Sequence, residues 1–142
     1  MTDQIGTMFL WMYWPSFNGA MAGTPAAFSR AVVNTLMSLT GSCIVAFMFS
    51  YVLRGEKKFS MVDIQNATLA GGVAIGASAD LPLGIASSLA TGMTAGAVSV
   101  LGYTRLQAKL EKYFSLYDTC GVLNLHGMPG LIGGSVQLFS CA

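Results

Sequence analysis

Residues 119–142 read TCGVLNLHGMPGLIGGSVQLFSCA and contain no Asp, Glu, Lys or Arg. A transmembrane helix needs about 20 predominantly apolar residues, so this stretch is long enough to cross a bilayer. It also holds His126, the only histidine of the chain. An ionisable side chain inside a membrane segment is costly and usually carries function. His126 is therefore the first candidate for a functional residue.

The rest of the sequence is equally apolar. Hydrophobic residues make up 54% of the chain and charged residues only 9%, against about 25% charged residues in soluble domains. The net charge of +1 gives no reason to expect a nucleic-acid partner. Composition therefore predicts a membrane protein, and the apolar stretches of the chain predict that it is all-α and multi-pass.

Charged residues divide the chain into five uncharged stretches, which predict five transmembrane segments. We name them segments A (about 5–22), B (31–53), C (61–79), D (82–104) and E (119–140). The uncharged part of segment C, residues 64–79, is short. It spans the membrane only if Asp63 and Asp80 mark its ends, or if the segment is buried among the other helices.

The basic residues predict the orientation of these segments. Two loops are basic: the B–C loop carries Arg54, Lys57 and Lys58, and the D–E loop carries Arg105, Lys109 and Lys112. Basic loops stay in the cytoplasm. Five spans place both loops on one side, so residues 54–60 and 105–117 are expected inside, and residues 22–30 and 79–82 outside.

Small residues recur at every fourth position in three segments, a pattern that lets helices pack closely in lipid. They are Gly72 and Gly76 in C, Gly84, Ser88, Gly92 and Gly96 in D, and Gly130 and Gly134 in E. The spacing predicts that C, D and E form a tight bundle.

The three cysteines, Cys43, Cys120 and Cys141, have neither CxxC spacing nor a histidine cluster, so they are interpreted as small buried hydrophobic residues and no metal site is expected.

Segment A is rich in aromatic residues. Trp14 and Phe17 lie three residues apart and share a helix face, with Pro15 and Asn18 beside them. The two interpretations, ordinary packing and constriction of a pore, have about equal support from the residues alone.

His126 and Asp118 also have structural interpretations. Pro129 leaves the Leu125 carbonyl without its helical partner, and a structural His126 would bond there. Asp118, at the start of segment E, is typical of a helix N-terminal cap, and its charge suits the helix dipole.

Three stretches carry a resemblance that runs in order along nearly the whole chain. IGTMFLWMYWPSFNGA (5–20), DIQNATLAGGVAIG (63–76) and DTCGVLNLHGMPGLIGG (118–134) closely resemble the Rhesus glycoproteins of the ammonium transporter family. The resemblance implies a trimer whose subunits each have one hydrophobic pore, built from two five-helix repeats of opposite topology. Residues 1–142 resemble the second repeat only, a partial transporter domain without the first repeat or the C-terminal helices.

The resemblance also assigns residues. His126 matches one of two pore histidines, and Phe17 matches one of two gating phenylalanines, with both partners expected on the first repeat. Trp14 and Asn18 match positions flanking that gate, and Asp118 matches a carboxylate at the cytoplasmic end of the histidine helix. Asp63 departs from the family, whose vertebrate glycoproteins have a histidine shortly before QNATLAGG.

The implied function is transport of ammonia or ammonium across the plasma membrane by a homo- or heterotrimer of full-length subunits. No cofactor, covalent chemistry or catalytic residue is implied, so no enzyme is expected. The alternative is a non-conducting assembly subunit, or an inactive fragment of such a channel.

Overall fold

The computed structural model describes residues 2–55 and 58–141, and this part of the chain is helical with no β-strand. The helices are α1 (Thr2–Gly19), α2 (Pro25–Leu53), α3 (Met61–Ala67), α4 (Ala70–Ile75), α5 (Ile85–Leu101), α6 (Gln107–Phe114) and α7 (Met128–Cys141). A 3-10 turn at Gly76–Ser78 follows α4, and π-helical turns at Gly102–Leu106 and Leu123–Gly127 precede α6 and α7. The predicted all-α class is confirmed.

Each of the five predicted segments is helical, although the bounds differ. Two continuous helices, Pro25–Leu53 and Ile85–Phe114, are long and apolar enough by themselves to cross a membrane. The first begins six residues earlier than predicted, because the Thr24 hydroxyl accepts the Ala27 N–H at 3.2 Å and Pro25 occupies the first turn. The second extends past the predicted end at residue 104, because QAKLEKYF consists largely of good helix formers.

Segment C is a broken helix that is buried in the protein. The break at Thr68–Leu69 separates α3 from α4, and five of the six residues of α4 are buried. The hydroxyls of Ser42 and Ser38 on α2 donate to the carbonyls of Thr68 and Gly71, at 2.7 and 2.8 Å. Irregular backbone at membrane depth is tolerated where protein groups satisfy it. The sequence predicts that this short segment spans the membrane if it is buried among the other helices, and that condition is met.

The closest helix pair is α2 with α5. A methyl group added at Gly92 would overlap the Ser38 carbonyl oxygen, and one at Gly96 would come within 2.7 Å of the Ser42 carbonyl oxygen. Segments C, D and E do pack together, since α4, α5 and α7 contact one another. However, the predicted glycine face of D meets α2 on segment B rather than C or E.

The predicted glycine face of segment E is wrong for this chain. A methyl group at Gly130 or Gly134 would have no neighbour within 4 Å, whereas one at Gly133 would overlap the Ala74 carbonyl oxygen on α4. The helix face that packs therefore contains Gly133, one residue before Gly134 of the predicted face.

The two basic loops lie at the same end of the molecule. A cavity of about 460 Å³ is lined by Arg54 and Lys58 from the B–C loop and by Thr104 from the end of segment D. At the opposite end, Arg30 Nε donates to the Asp80 carbonyl at 3.0 Å. Lys57, which belongs to the predicted cytoplasmic loop, lies outside the described residues. This arrangement is the one that the loop charges predict.

Candidate functional site

An apolar cleft lies where α1 meets the start of the last helical segment. It has a volume of about 330 Å³ and is lined by Leu10, Tyr13, Trp14, Phe17 and His126. The first four project from α1 at positions three and four residues apart, so they form one helix face. Three of the residues singled out in the sequence, Trp14, Phe17 and His126, are therefore brought together.

His126 reaches the cleft from the π-helical turn Leu123–Gly127. Pro129 has no N–H to donate to the Leu125 carbonyl, which accounts for an irregular turn just before α7. Leu125 is buried in the core at 9% exposure, whereas His126 is exposed on the cleft side. In this turn, Leu125 therefore packs into the core, whereas the next residue, His126, faces the cleft.

The imidazole lies over the indole of Trp14. The ring centroids are 6.3 Å apart and the planes are inclined by 19°, which is a stacked arrangement. Within the described part of the chain, no hydrogen bond to the His126 ring is present, so the predicted structural alternative of a bond to the Leu125 carbonyl is not observed. The stack on Trp14 therefore determines the orientation of the imidazole plane.

Trp14 joins the cleft to the core. Its side chain packs against the core cluster that contains Leu39 and Leu69. On α4, a methyl group added at Gly72 would come within 2.8 Å of the indole Nε1, so the indole lies directly against the α4 backbone. The Trp14 ring is therefore a rigid wall for the cleft.

Phe17 and Asn18 lie in different surroundings although they are adjacent in sequence. Phe17 is 74% exposed and forms the open rim of the cleft. The Asn18 amide Nδ2 instead donates to the Thr35 hydroxyl at 3.1 Å and to the Gly72 carbonyl at 3.0 Å. Asn18 does not line the cleft. It ties α1 to α2 and α4.

Asp118 lies at the start of the last helical segment and has the geometry of the predicted cap. Its carboxylate oxygens accept the N–H groups of Val122 and Leu123, both at 2.8 Å. Asp118 therefore supports the turn that carries His126 and does not itself line the cleft.

The sequence did not point to the polar cluster behind this turn. The Tyr103 hydroxyl donates to the Gly121 carbonyl at 3.0 Å, and the Asn124 amide Nδ2 donates to Gln107 Oε1 at 3.2 Å. A buried amide in a charge-free segment needs a partner, and that signal was available for Asn124. No signal in the sequence identifies this partner as Gln107, which lies on another helix.

The donor groups of the site do not suit a metal ion. No group of three His, Cys, Asp or Glu side chains within residues 2–55 and 58–141 is arranged to hold one. The cleft offers aromatic and aliphatic surface with one imidazole. Such a surface suits passage of a small neutral molecule that forms hydrogen bonds.

The chain is similar to known membrane transporters along almost its whole length. Residues 2–141 match the profile of the Ammonium Transporter Family. It is 49% identical to the ammonium transporter Rh type A of Rattus norvegicus over 134 residues, and 49% identical to the ammonium transporter Rh type C of Oryctolagus cuniculus over 138 residues. These alignments cover 94% and 97% of this chain, but it spans only about 30% of the length of either relative.

Solved structures show the same fold. Rh50 of Nitrosomonas europaea, a Rhesus protein family channel, superposes with a TM-score of 0.91 at 39% identity, over 96% of this chain and 36% of the other. A sensor Amt protein superposes with a TM-score of 0.77 at 28% identity, over 92% of this chain and 31% of the other. With the family profile matched over residues 2–141, the chain belongs to the ammonium transporter family.

Proposed function

We propose that this chain is part of a membrane subunit that conducts ammonia or ammonium, and that His126 lines its pore. The observation that carries the proposal is the position of the chain's only imidazole, stacked on Trp14 in an otherwise apolar cleft. The relatives described above are ammonium transporters of the Rh type. We place the protein in the plasma membrane.

The chemistry of the cleft favours a neutral species at the narrowest point. A charged group at the bilayer centre costs at least about 2.5–3.5 kcal/mol on insertion scales. Potassium and sodium carry that cost, whereas ammonia does not once ammonium has released its proton. A neutral imidazole both donates and accepts one hydrogen bond, so it can hold ammonia in a cleft whose walls are otherwise mainly aromatic and aliphatic.

Residues 1–142 form, in this proposal, the second five-helix repeat of a longer subunit. Support comes from the cleft, which is walled on one side by α1 and His126 and is open at Phe17, and from the fraction of its relatives that the chain spans. The first repeat then supplies a second histidine and a second phenylalanine. Inverted repeats place a transport site between them. Three such subunits, identical or different, assemble as a trimer.

The open cleft also favours a second candidate function. A chain with one wall of a pore retains the surfaces that contact other subunits without conducting anything itself. The alternative is therefore a non-conducting assembly subunit, or an inactive fragment of an Rh-type channel.

One substitution tests the conducting role. His126→Leu keeps an apolar side chain of moderate size and removes both ring nitrogens. In the protein that contains this chain, reconstituted in liposomes, we expect folded yield to stay near normal and proton-linked ammonia transport or its selectivity to be lost. Phe139→Leu is the control, because Phe139 is 85% exposed on the distal part of α7. Unchanged transport and selectivity in His126→Leu would contradict the proposal.

The 142-residue chain separates the two candidate functions. Alone in liposomes it should conduct nothing, since one wall of the pore is absent. Ammonia flux through the isolated chain that His126→Leu abolishes would show that the argument for a half-pore is wrong.

A further inference from the structure

The two π-helical turns contact each other at the base of the site. A methyl group added at Gly102, the first residue of one turn, would overlap Asn124 Oδ1 on the other and come within 2.5 Å of the Met128 Cε. A π-helical turn is rare and occurs frequently at functional sites. Here one of the two carries His126, so what holds this turn also determines where the imidazole points.

Asn124 is the residue that fastens the turn. Its side chain is 1% exposed, and its amide Nδ2 donates to Gln107 Oε1 at 3.2 Å. Gln107 Nε2 donates in turn to Glu111 Oε1 and to the Asp118 carbonyl, both at 3.3 Å. Because the Gln107 amino group is occupied by two acceptors, its oxygen faces Asn124, and Asn124 must present its amide nitrogen there. The network therefore fixes the orientation of both amides.

The other end of the Asn124 amide is held at a cost. Its Oδ1 is buried and has no hydrogen-bond partner within the described part of the chain. Burying an unpaired acceptor is unfavourable. The bond from the Asn124 nitrogen to Gln107 is therefore the polar contact that this buried side chain contributes.

His126 depends on this turn for its direction. The ring has no hydrogen bond of its own within the described residues, and its ring contact is the stack on Trp14. The hydrogen bonds of a π-helical turn span five residues rather than four, so the turn holds about one residue more than an α-helical turn. Successive residues of an α-helix are about 100° apart around the helix axis. Conversion of the π-helical turn to a regular helix would therefore rotate His126 away from the Trp14 face. Leu125, buried beside it, would be displaced as well.

We propose that Asn124 is a positioning residue, held by Gln107, which fixes the turn Leu123–Gly127 and so keeps the His126 imidazole over the Trp14 indole. Its significance for transport rests on the proposed function, because that function assigns His126 to the pore. The geometry itself can be tested without any transport assay.

Nuclear magnetic resonance provides the test, because the chain has a single histidine whose ring signals need no assignment. In the 142-residue chain in detergent micelles, a nuclear Overhauser cross-peak should join the ring protons of His126 and Trp14. Asn124→Leu keeps the branching and the number of heavy atoms of the side chain but cannot donate, so the cross-peak should be lost while helical content is retained. Gln107→Leu should have the same effect, with Asn124 intact. Asn66→Leu is the control, since within the described residues the Asn66 side-chain amide bonds only to the Val62 carbonyl of its own helix.

The outcomes are distinct. A cross-peak that survives in Asn124→Leu, or in Gln107→Leu if the first variant does not fold, would overturn the positioning role. Loss of the cross-peak in the variants but not in the control would support it. In the protein that contains this chain, Asn124→Leu should then reduce ammonia selectivity in the same direction as His126→Leu. If His126→Leu has no effect on transport while the cross-peak behaves as expected, the positioning role stands and the proposed function fails.

Discussion

Asn34 is a buried side chain that joins three parts of the chain. Its amide Nδ2 donates to the carbonyls of Ala79 and Leu81, at 2.8 and 3.0 Å, and its Oδ1 accepts the Ser88 hydroxyl at 3.0 Å. One amide thus connects α2 to the 79–81 turn and to α5. Such a residue supports the fold far from His126, which makes it suitable for a test of stability alone.

We expect Asn34→Ala to destabilise the folded chain. Each buried polar group left unsatisfied costs about 1–3 kcal/mol, and the change removes the donor to two carbonyls, while the Ser88 hydroxyl keeps the Gly84 carbonyl as an acceptor. Thermal unfolding in detergent, followed by circular dichroism, measures the loss. Thr94→Ala is the matched control, because the exposed Thr94 hydroxyl bonds, in the part of the chain that the structure describes, only to the Ala90 carbonyl of its own helix. Equal losses in the two variants would contradict the role given to Asn34.

Phe17 illustrates a residue whose removal should affect transport without affecting folding. It is 74% exposed in this chain, so Phe17→Ala leaves no cavity in the core. Under the proposed function, we expect altered ammonia flux in the protein that contains the chain, with the yield of folded protein near normal, because Phe17 forms the rim of the cleft. Phe139→Ala provides the comparison, since Phe139 is also strongly exposed, at 85%. Loss of folded protein with no separate change in flux would return Phe17 to a packing role.

At the scale of the helices, the close packing of α5 against α2 requires residues without a side chain at the contact. Gly92→Ala places a methyl group against the Ser38 carbonyl, which is backbone and cannot turn aside. Overpacking of this kind costs about 1–3 kcal/mol, so the unfolding temperature should fall. Gly134→Ala has open space around it and replaces glycine within a helix, so it should be neutral or stabilising by up to about 1 kcal/mol. A larger loss in Gly134→Ala than in Gly92→Ala would be inconsistent with this packing.

The sequence predicts the helices better than their interruptions. Charges bound the apolar stretches, and hydropathy therefore locates five helical segments. Hydropathy carries no information on the hydrogen-bond register, so the break at Thr68–Leu69 and the two π-helical turns were not predicted. The Ser38 and Ser42 hydroxyls that complete the broken helix come from α2, and their partners are backbone carbonyls that no sequence pattern identifies.

The site required information that no single segment contains. Trp14 and His126 are more than 100 positions apart, and only the family resemblance grouped them before the fold placed both in one cleft. The resemblance grouped Asn18 and Asp118 with them as well. Those side chains instead bond to backbone and hydroxyl groups around the cleft, and their place in transport stays a prediction.

At the scale of the whole molecule, the arrangement of loops gives a prediction about orientation in the membrane. Lys58 and Thr104 line one cavity, so the B–C loop and the end of segment D lie at one end, while Arg30 and Asp80 meet at the other. The basic end belongs in the cytoplasm, since basic loops are retained there. The α1–α2 loop at residues 20–24 then faces outside, together with the turn at residues 79–84.

Cysteine labelling tests this orientation in a protein whose three native cysteines are replaced by serine. Lys58→Cys and Lys109→Cys should react with a membrane-impermeant thiol reagent only after the cells are opened. Met21→Cys, at a side chain that is 92% exposed, should react in intact cells and serves as the control for accessibility. Labelling of both lysine positions in intact cells would reverse the orientation. His126 would then lie in a helical segment that begins outside, and Asp118 would lie at the outer rather than the cytoplasmic start of that segment.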